Sequence, residues 1–238
     1  MPHKYNPFQP DKIVNPSLFC GRLEELDTVE HCLLQTKHDN PKHFLIEGER
    51  GIGKSSLFFF EQLVASGELE TLDDGRLNFI VVSVSLYDSD DQFGIIKRIA
   101  TELKRQLADL ENFKSVALAA LDHISRIEAC GVRYNRANYT VEDDELLANL
   151  QVDLVRILTG LDETVDGVLL LIDEADKPPE SARLGLLTKQ ITEELTRKRC
   201  ERLCIGLAGL PGLVQKLKGS HESSPRIFTA LALKPRNC

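Results

Sequence analysis

Tryptophan is absent from this chain of 238 residues, methionine occurs once, and aromatic residues make up only 6%. A core built on large rings is therefore excluded, and packing must rest on Leu, Ile and Val. Long apolar runs are also missing. Runs such as Val168–Ile172 are far shorter than the roughly 20 residues a bilayer-spanning helix needs, so no membrane role is expected. Basic residues are outnumbered: 29 Lys and Arg against 37 Asp and Glu give a formal net charge of −8. A whole-protein basic field for nucleic acid is thereby excluded, and the net charge gives DNA binding no support. Two local clusters remain: Arg197, Lys198, Arg199 and Arg202, and then Arg226, Lys234 and Arg236. The first reads as a solvated helix face. The six cysteines (Cys20, Cys32, Cys130, Cys200, Cys204, Cys238) form no C-x-x-C pair. Cys200 and Cys204 have no matching His/Cys pair, which argues against zinc. Reduced, mostly buried thiols in a cytoplasmic protein are expected. Met1–Pro10 has no apolar stretch of the kind a secretory signal requires.

What is present is an ordinary globular composition, 42% hydrophobic and 28% charged, on a length suited to one large α/β domain or two small ones. Four prolines between Met1 and Pro16 rule out a helix there and predict an extended arm over 1–16. Apolar residues at Leu23, Leu26, Val29, Leu33 and Leu34 predict a helix. His43–Glu47 reads as a short strand, and Ser55–Ala65 as an apolar helix. Asn78–Leu86, rich in β-branched residues, and Gly167–Ile172 read as buried strands. Gln92–Leu110 shows Ile95, Ile96, Ile99, Leu103 and Leu107 on one helical face. Further helices are predicted at Asp144–Thr159, Glu180–Arg199 and Leu210–Leu217, with strands at Arg202–Leu207 and Ile227–Leu233. Alternating strands and helices imply a mostly parallel sheet covered on both faces.

Gly48-Glu49-Arg50-Gly51-Ile52-Gly53-Lys54-Ser55 matches G-x-x-x-x-G-K-[ST]. Glycines let such a loop curl its N–H groups inward, and the following helix points its N-terminus at phosphates. Lys54 would neutralise β/γ-phosphate oxygens, and the Ser55 hydroxyl would ligate Mg²⁺. At glycine usage of about 7%, the pattern arises by chance in roughly one chain of this length in a hundred. Here it also sits between an apolar strand and an apolar helix, as a phosphate loop must. The candidate nucleotide-binding residues are Gly48, Glu49, Arg50, Gly51, Ile52, Gly53, Lys54, Ser55 and Ser56.

The second half of such a site is an apolar strand ending in acids. Val168–Ile172 runs into Asp173 and Glu174. Asp173 would hold Mg²⁺ and Glu174 would polarise the attacking water. Taken without the loop, the same pair would read equally well as the cap of the next helix. A glutamate there favours ATP, and no Asn-Lys-x-Asp guanine reader or LSGGQ-like signature occurs in the chain.

These residues resemble the AAA+ superfamily, and more narrowly its prokaryotic origin-recognition-like and STAND-type ATPase domains, over about Pro7–Pro235. Phe19-Cys20-Gly21-Arg22-Leu23-Glu24-Glu25-Leu26 resembles the segment that opens such domains near the adenine. Ile205–Leu213 is similar to the fourth-strand sensor segment. Pro225, Arg226 and Phe228, followed by Leu233 and Pro235, resemble the fifth-strand segment. The resemblance implies a P-loop NTPase three-layer sandwich over 17–238, with a five-stranded sheet in the order 5-1-4-3-2. It also implies ATP and Mg²⁺ as cofactors and Arg226 reaching a neighbouring copy's γ-phosphate in a homo-oligomer. Glu174, Lys54 and Arg226 are then the catalytic candidates, and Ser55 and Asp173 the metal ligands.

The sequence departs from the pattern in three places. The sensor strand ends Leu207, Ala208, Gly209, Leu210 with no polar side chain. The helical lid expected after the fifth strand is missing. Lys54 and Asp173 lie far apart, which makes 111–144 a candidate helical insertion and a surface for a protein partner. The expected role is a nucleotide-dependent switch or motor. The alternatives are a DNA-linked ATPase of the replication-initiation or transposition-helper type, and a nucleotide-binding scaffold with little turnover.

Overall fold

The computed structural model describes residues 21–73, 75–108 and 142–235. The arm over 1–16, Phe19 and Cys20, and most of the 111–144 segment lie outside the described residues.

Five strands form one sheet: β1 (His43–Glu47), β2 (Phe79–Ser85), β3 (Gly167–Asp173), β4 (Leu203–Gly209) and β5 (Phe228–Ala232). Their order is β2-β3-β4-β1-β5, the expected 5-1-4-3-2 read from the other edge. All four pairings are parallel. The helices are α1 (Leu23–Lys37), α2 (Lys54–Ala65), α3 (Gln92–Ala108), α4 (Glu142–Gly160), α5 (Leu184–Arg197) and α6 (Leu213–Ser220).

Strands buried on both faces carry near-continuous apolar sequence, and β4 (LCIGLAG) at the centre is buried at every residue. The two faces have separate cores. On one side, Leu26, Val29 and Leu33 of α1 and Leu57, Phe58 and Val64 of α2 pack with Phe44, Ile46, Leu169 and Leu171. On the other, the Ile95, Ile96, Ile99 and Leu103 stripe of α3 joins Leu150 and Leu154 of α4, Leu187 and Ile191 of α5, and Val82, Leu170 and Ile205 of the sheet. This is the three-layer arrangement expected from the alternation of elements.

Two helices differ from expectation. The segment from Glu180 is not one helix. A 3₁₀ turn at Glu180–Ala182 ends in Arg183, whose φ of 51° is left-handed, and α5 starts afterwards. Ala182 and Leu184 are both buried while Arg183 between them is exposed. Positions two apart point to opposite sides of a continuous helix, so burying both against one core requires the break. The last helix starts at Leu213 rather than Leu210, because Pro211 and the left-handed Gly212 (φ 101°) precede it.

Candidate nucleotide-binding site

The loop leaves the C-terminal end of β1 and enters α2. Gly51 and Gly53 have φ of 77° and 101°, values a side chain disfavours. A Cβ at Gly48 would lie 2.7 Å from Ile52 Cγ2 and 3.1 Å from Leu233 Cβ, so there the requirement is space. Gly53 is the N-cap of α2 and no side chain caps it. The loop therefore leads into the positive end of the helix dipole, the usual seat of an anion.

Lys54 folds back on the loop: its Nζ donates to the carbonyls of Gly48 (2.7 Å) and Glu49 (3.0 Å). The Ser55 hydroxyl donates to Asp173 Oδ2 at 2.9 Å. That contact joins residues 118 positions apart. It spans the gap left by β4, which runs between β1 and β3. Asp173 Oδ1 accepts the N–H of Glu174 at 2.8 Å.

Glu174 has a left-handed φ of 55°, a strain of about 1–3 kcal/mol that surrounding structure must hold. Its carboxylate is half-exposed and lies 3.7 Å from Lys177 Nζ. Lys177 in turn stands 5.9 Å from the ring centre of Tyr87, which also carries the Arg98 guanidinium at 4.4 Å.

The remaining sequence candidates fall as follows. Glu49 and Arg50 are exposed, and Ser56 is buried beneath the loop in α2. Arg226 is exposed in a 3₁₀ turn preceding β5. His43 pairs with Phe228 and Glu47 with Ala232. Arg226 therefore sits at the opposite end of the sheet from the loop, roughly 15 Å away at about 3.3 Å per strand residue. It is not brought together with Lys54, Ser55, Asp173 and Glu174 within one copy.

The Arg197–Arg202 cluster is largely committed. Arg197 pairs with Glu194 at 2.9 Å. Arg202 donates to the carbonyls of Val165 (2.9 Å) and Leu161 (3.3 Å).

Arg22, named above only as part of the Phe19–Leu26 segment, holds the loop. The residue is 8% exposed. Its guanidinium donates to the carbonyl of Ile52 inside the loop at 2.9 Å and to that of Lys234 after β5 at 3.4 Å. It also pairs with Glu25 at 2.9 Å. Glu47 is a second such anchor. Its carboxylate accepts the N–H groups of Gly212 (3.0 Å) and Val214 (2.8 Å), capping α6 from the residue just before the loop.

Beneath α2, Glu61 is fully buried, and neither carboxylate oxygen has a hydrogen-bond partner among the described residues. Burial first, and the nearby Glu30 second, raise its pKa well above the ordinary carboxylate value.

No family model matches the chain. No curated protein matches it either. Solved structures share its fold. Cdc6p from Pyrobaculum aerophilum superposes with a TM-score of 0.57 at 16% identity, over 95% of this chain and 48% of that one. The Aeropyrum pernix ORC2 protein, solved as ADPNP–ADP complexes, gives 0.56 at 15% identity over 94% and 50%. This chain thus spans about half the length of the solved chains it matches. The shared fold is a three-layer α/β fold of the P-loop NTPase type, with the all-parallel sheet and the strand order described above. Among the described residues, no helix is long and apolar enough to cross a membrane.

Proposed function

We propose that the chain binds ATP with Mg²⁺ at the Gly48–Ser55 loop and hydrolyses it through Glu174, acting as a nucleotide-dependent switch or motor for a partner. The observation that carries this reading is the contact between Ser55 and Asp173. It brings the two halves of the motif onto one spot, beside the N-terminus of α2 and the Lys54 ammonium. The ORC2 protein of the same fold was solved with ADPNP and ADP, which supports nucleotide as the ligand.

The oxygen-only pair Ser55 and Asp173 suits a hard cation. These two residues would hold Mg²⁺, which when bound supplies positive charge to the phosphate oxygens. Lys54 would leave the carbonyls of Gly48 and Glu49 for β/γ-phosphate oxygens. Glu174 would take the proton of the attacking water. The water oxygen bonds to the γ-phosphorus as the bond to the bridging oxygen breaks, and ADP leaves.

A titration with a fluorescent ATP analogue, with and without Mg²⁺, tests the site. Wild type should bind more tightly with Mg²⁺, and Ser55→Ala should lose that gain. Equal affinity with and without the metal in both proteins would remove Ser55 from the site.

A DNA-linked ATPase is a second reading, favoured by the fold shared with Cdc6p and ORC2 and opposed by the net charge of −8. DNA affinity falling steeply with salt would support it. A scaffold with little turnover is a third, favoured by the absence of a polar side chain at Gly209 where β4 ends.

A further inference from the structure

The left-handed backbone of Glu174 is not a conformation its own residue type favours. Neighbouring contacts must hold it there. Two of them lie immediately after it, and both tie the acidic turn to the end of β4. The Ala175 N–H donates to the Ala208 carbonyl at 2.8 Å. The Leu210 N–H donates to Asp176 Oδ1 at 2.9 Å. The backbone carbonyl of Asp176 also accepts from Lys216 Nζ at the start of α6.

Asp176 has room for this because residue 209 is glycine. A Cβ at Gly209 would lie 2.7 Å from Asp176 Oδ1, 3.0 Å from Leu213 Cδ2 and 3.2 Å from Asp176 N. The backbone of Gly209 is not left-handed, so here glycine answers to space and not to φ. β4 therefore ends without a polar side chain of its own, and a carboxylate from the β3 turn stands in the place where one would begin.

We propose that Asp176 is the positioning residue for Glu174. It supplies the polar group that β4 lacks and fixes the acidic turn, and so the direction of the Glu174 carboxylate, against β4. The proposal rests on reading Glu174 as the base for water. Asp176 acts through Oδ1 as a hydrogen-bond acceptor, so its negative charge is dispensable and an amide oxygen serves equally well. Gly209 and Asp176 form one unit, because a side chain at 209 expels the carboxylate from its seat.

The test uses Asp176→Ala, Asp176→Asn, Gly209→Ala and the double variant Asp176→Ala/Gly209→Ala in the full chain. Three quantities are read: amide hydrogen exchange at Ala175 and Leu210, phosphate release from ATP with Mg²⁺, and ATP affinity. Asp176→Ala should speed exchange at both amides and lower kcat by roughly ten- to a hundredfold, as small misplacements of a reacting group do. ATP affinity should stay the same. Asp176→Asn should restore protection and turnover together. Gly209→Ala should resemble Asp176→Ala alone and add nothing on top of it.

Unchanged Leu210 exchange in Asp176→Ala would overturn the proposal. So would an Asn variant as impaired as the Ala variant, since charge would then be the active property. Loss of ATP affinity in step with turnover would make Asp176 a general structural residue and would also overturn it. If wild type releases no phosphate, the reading of Glu174 as base fails. Exchange at Ala175 and Leu210 would then still decide whether Asp176 holds the turn.

Discussion

Arg22→Ala is the perturbation whose cost the structure defines most fully. The guanidinium is buried and donates to Ile52 O at 2.9 Å, Lys234 O at 3.4 Å and Glu25 Oε1 at 2.9 Å. Hydrogen bonds involving a charged group are worth about 1.5–3 kcal/mol each when buried. The 3.4 Å contact is long and counts for little. The Glu25 pair is an i,i+3 contact at a partly buried surface and adds roughly 0.5 kcal/mol. The Ile52 bond dominates, so the expected loss is about 2–4 kcal/mol. For a chain of this size, each kcal/mol lowers Tm by about 2–4 °C, which predicts a fall of roughly 5–15 °C by differential scanning fluorimetry.

The loop then loses its tie to both the N-terminal segment and the chain after β5. ATP affinity should drop with stability, by roughly tenfold for each 1.4 kcal/mol of lost pre-organisation. Arg22→Lys should recover less than half of either quantity, because an ammonium cannot match the planar fork that serves three acceptors. A Tm within about 2 °C of wild type for Arg22→Ala would refute this account of how the loop is held.

Other expected outcomes concern separate parts of the molecule. Lys54→Ala should weaken ATP binding by about ten- to a hundredfold, from one lost charge-assisted contact; isothermal titration with unchanged affinity would defeat the assignment of the loop. Glu61→Gln bears on pH. The folded pKa of Glu61 is raised, so the native state holds a proton that the unfolded state releases above pH 4.5. Stability is full below that value and declines as pH rises toward the folded pKa, by up to about 1.4 kcal/mol per pH unit. The Gln variant should flatten this decline and unfold at a higher temperature than wild type at pH 8 but not at pH 4; parallel curves would contradict the neutral, buried carboxyl. Arg226→Ala should lower turnover only where copies associate, since Arg226 cannot reach its own loop. Turnover per chain that does not depend on protein concentration would exclude a role in trans.

The features legible in the sequence were those with contiguous signals. His43–Glu47, the loop and α2 read correctly because an apolar run, fixed glycines and a second apolar run follow one another without interruption. β3 was legible for the same reason, and with it the pair Asp173 and Glu174. What escaped depends on residues far apart in the chain. Arg22 meets Ile52 and Lys234 across 30 and 212 positions, so its burial leaves no local trace. Asp176 finds Leu210 across 34 positions. Glu61 sits among the apolar residues of α2 as any surface glutamate would, and its burial near Glu30 of α1 leaves no mark in the local sequence. The break at Arg183 was hidden for a different reason. Periodicity supports one helix, and the demand to bury Ala182 and Leu184 together overrides it.

Phosphate release from ATP with Mg²⁺, compared between wild type and Glu174→Gln at matched nucleotide occupancy, tests the central claim most directly. The account predicts that Glu174→Gln binds ATP as tightly as wild type and loses turnover by about a hundredfold or more, as removal of a general base does. Equal turnover in the two proteins, or failure of wild type to bind ATP at all, would contradict it.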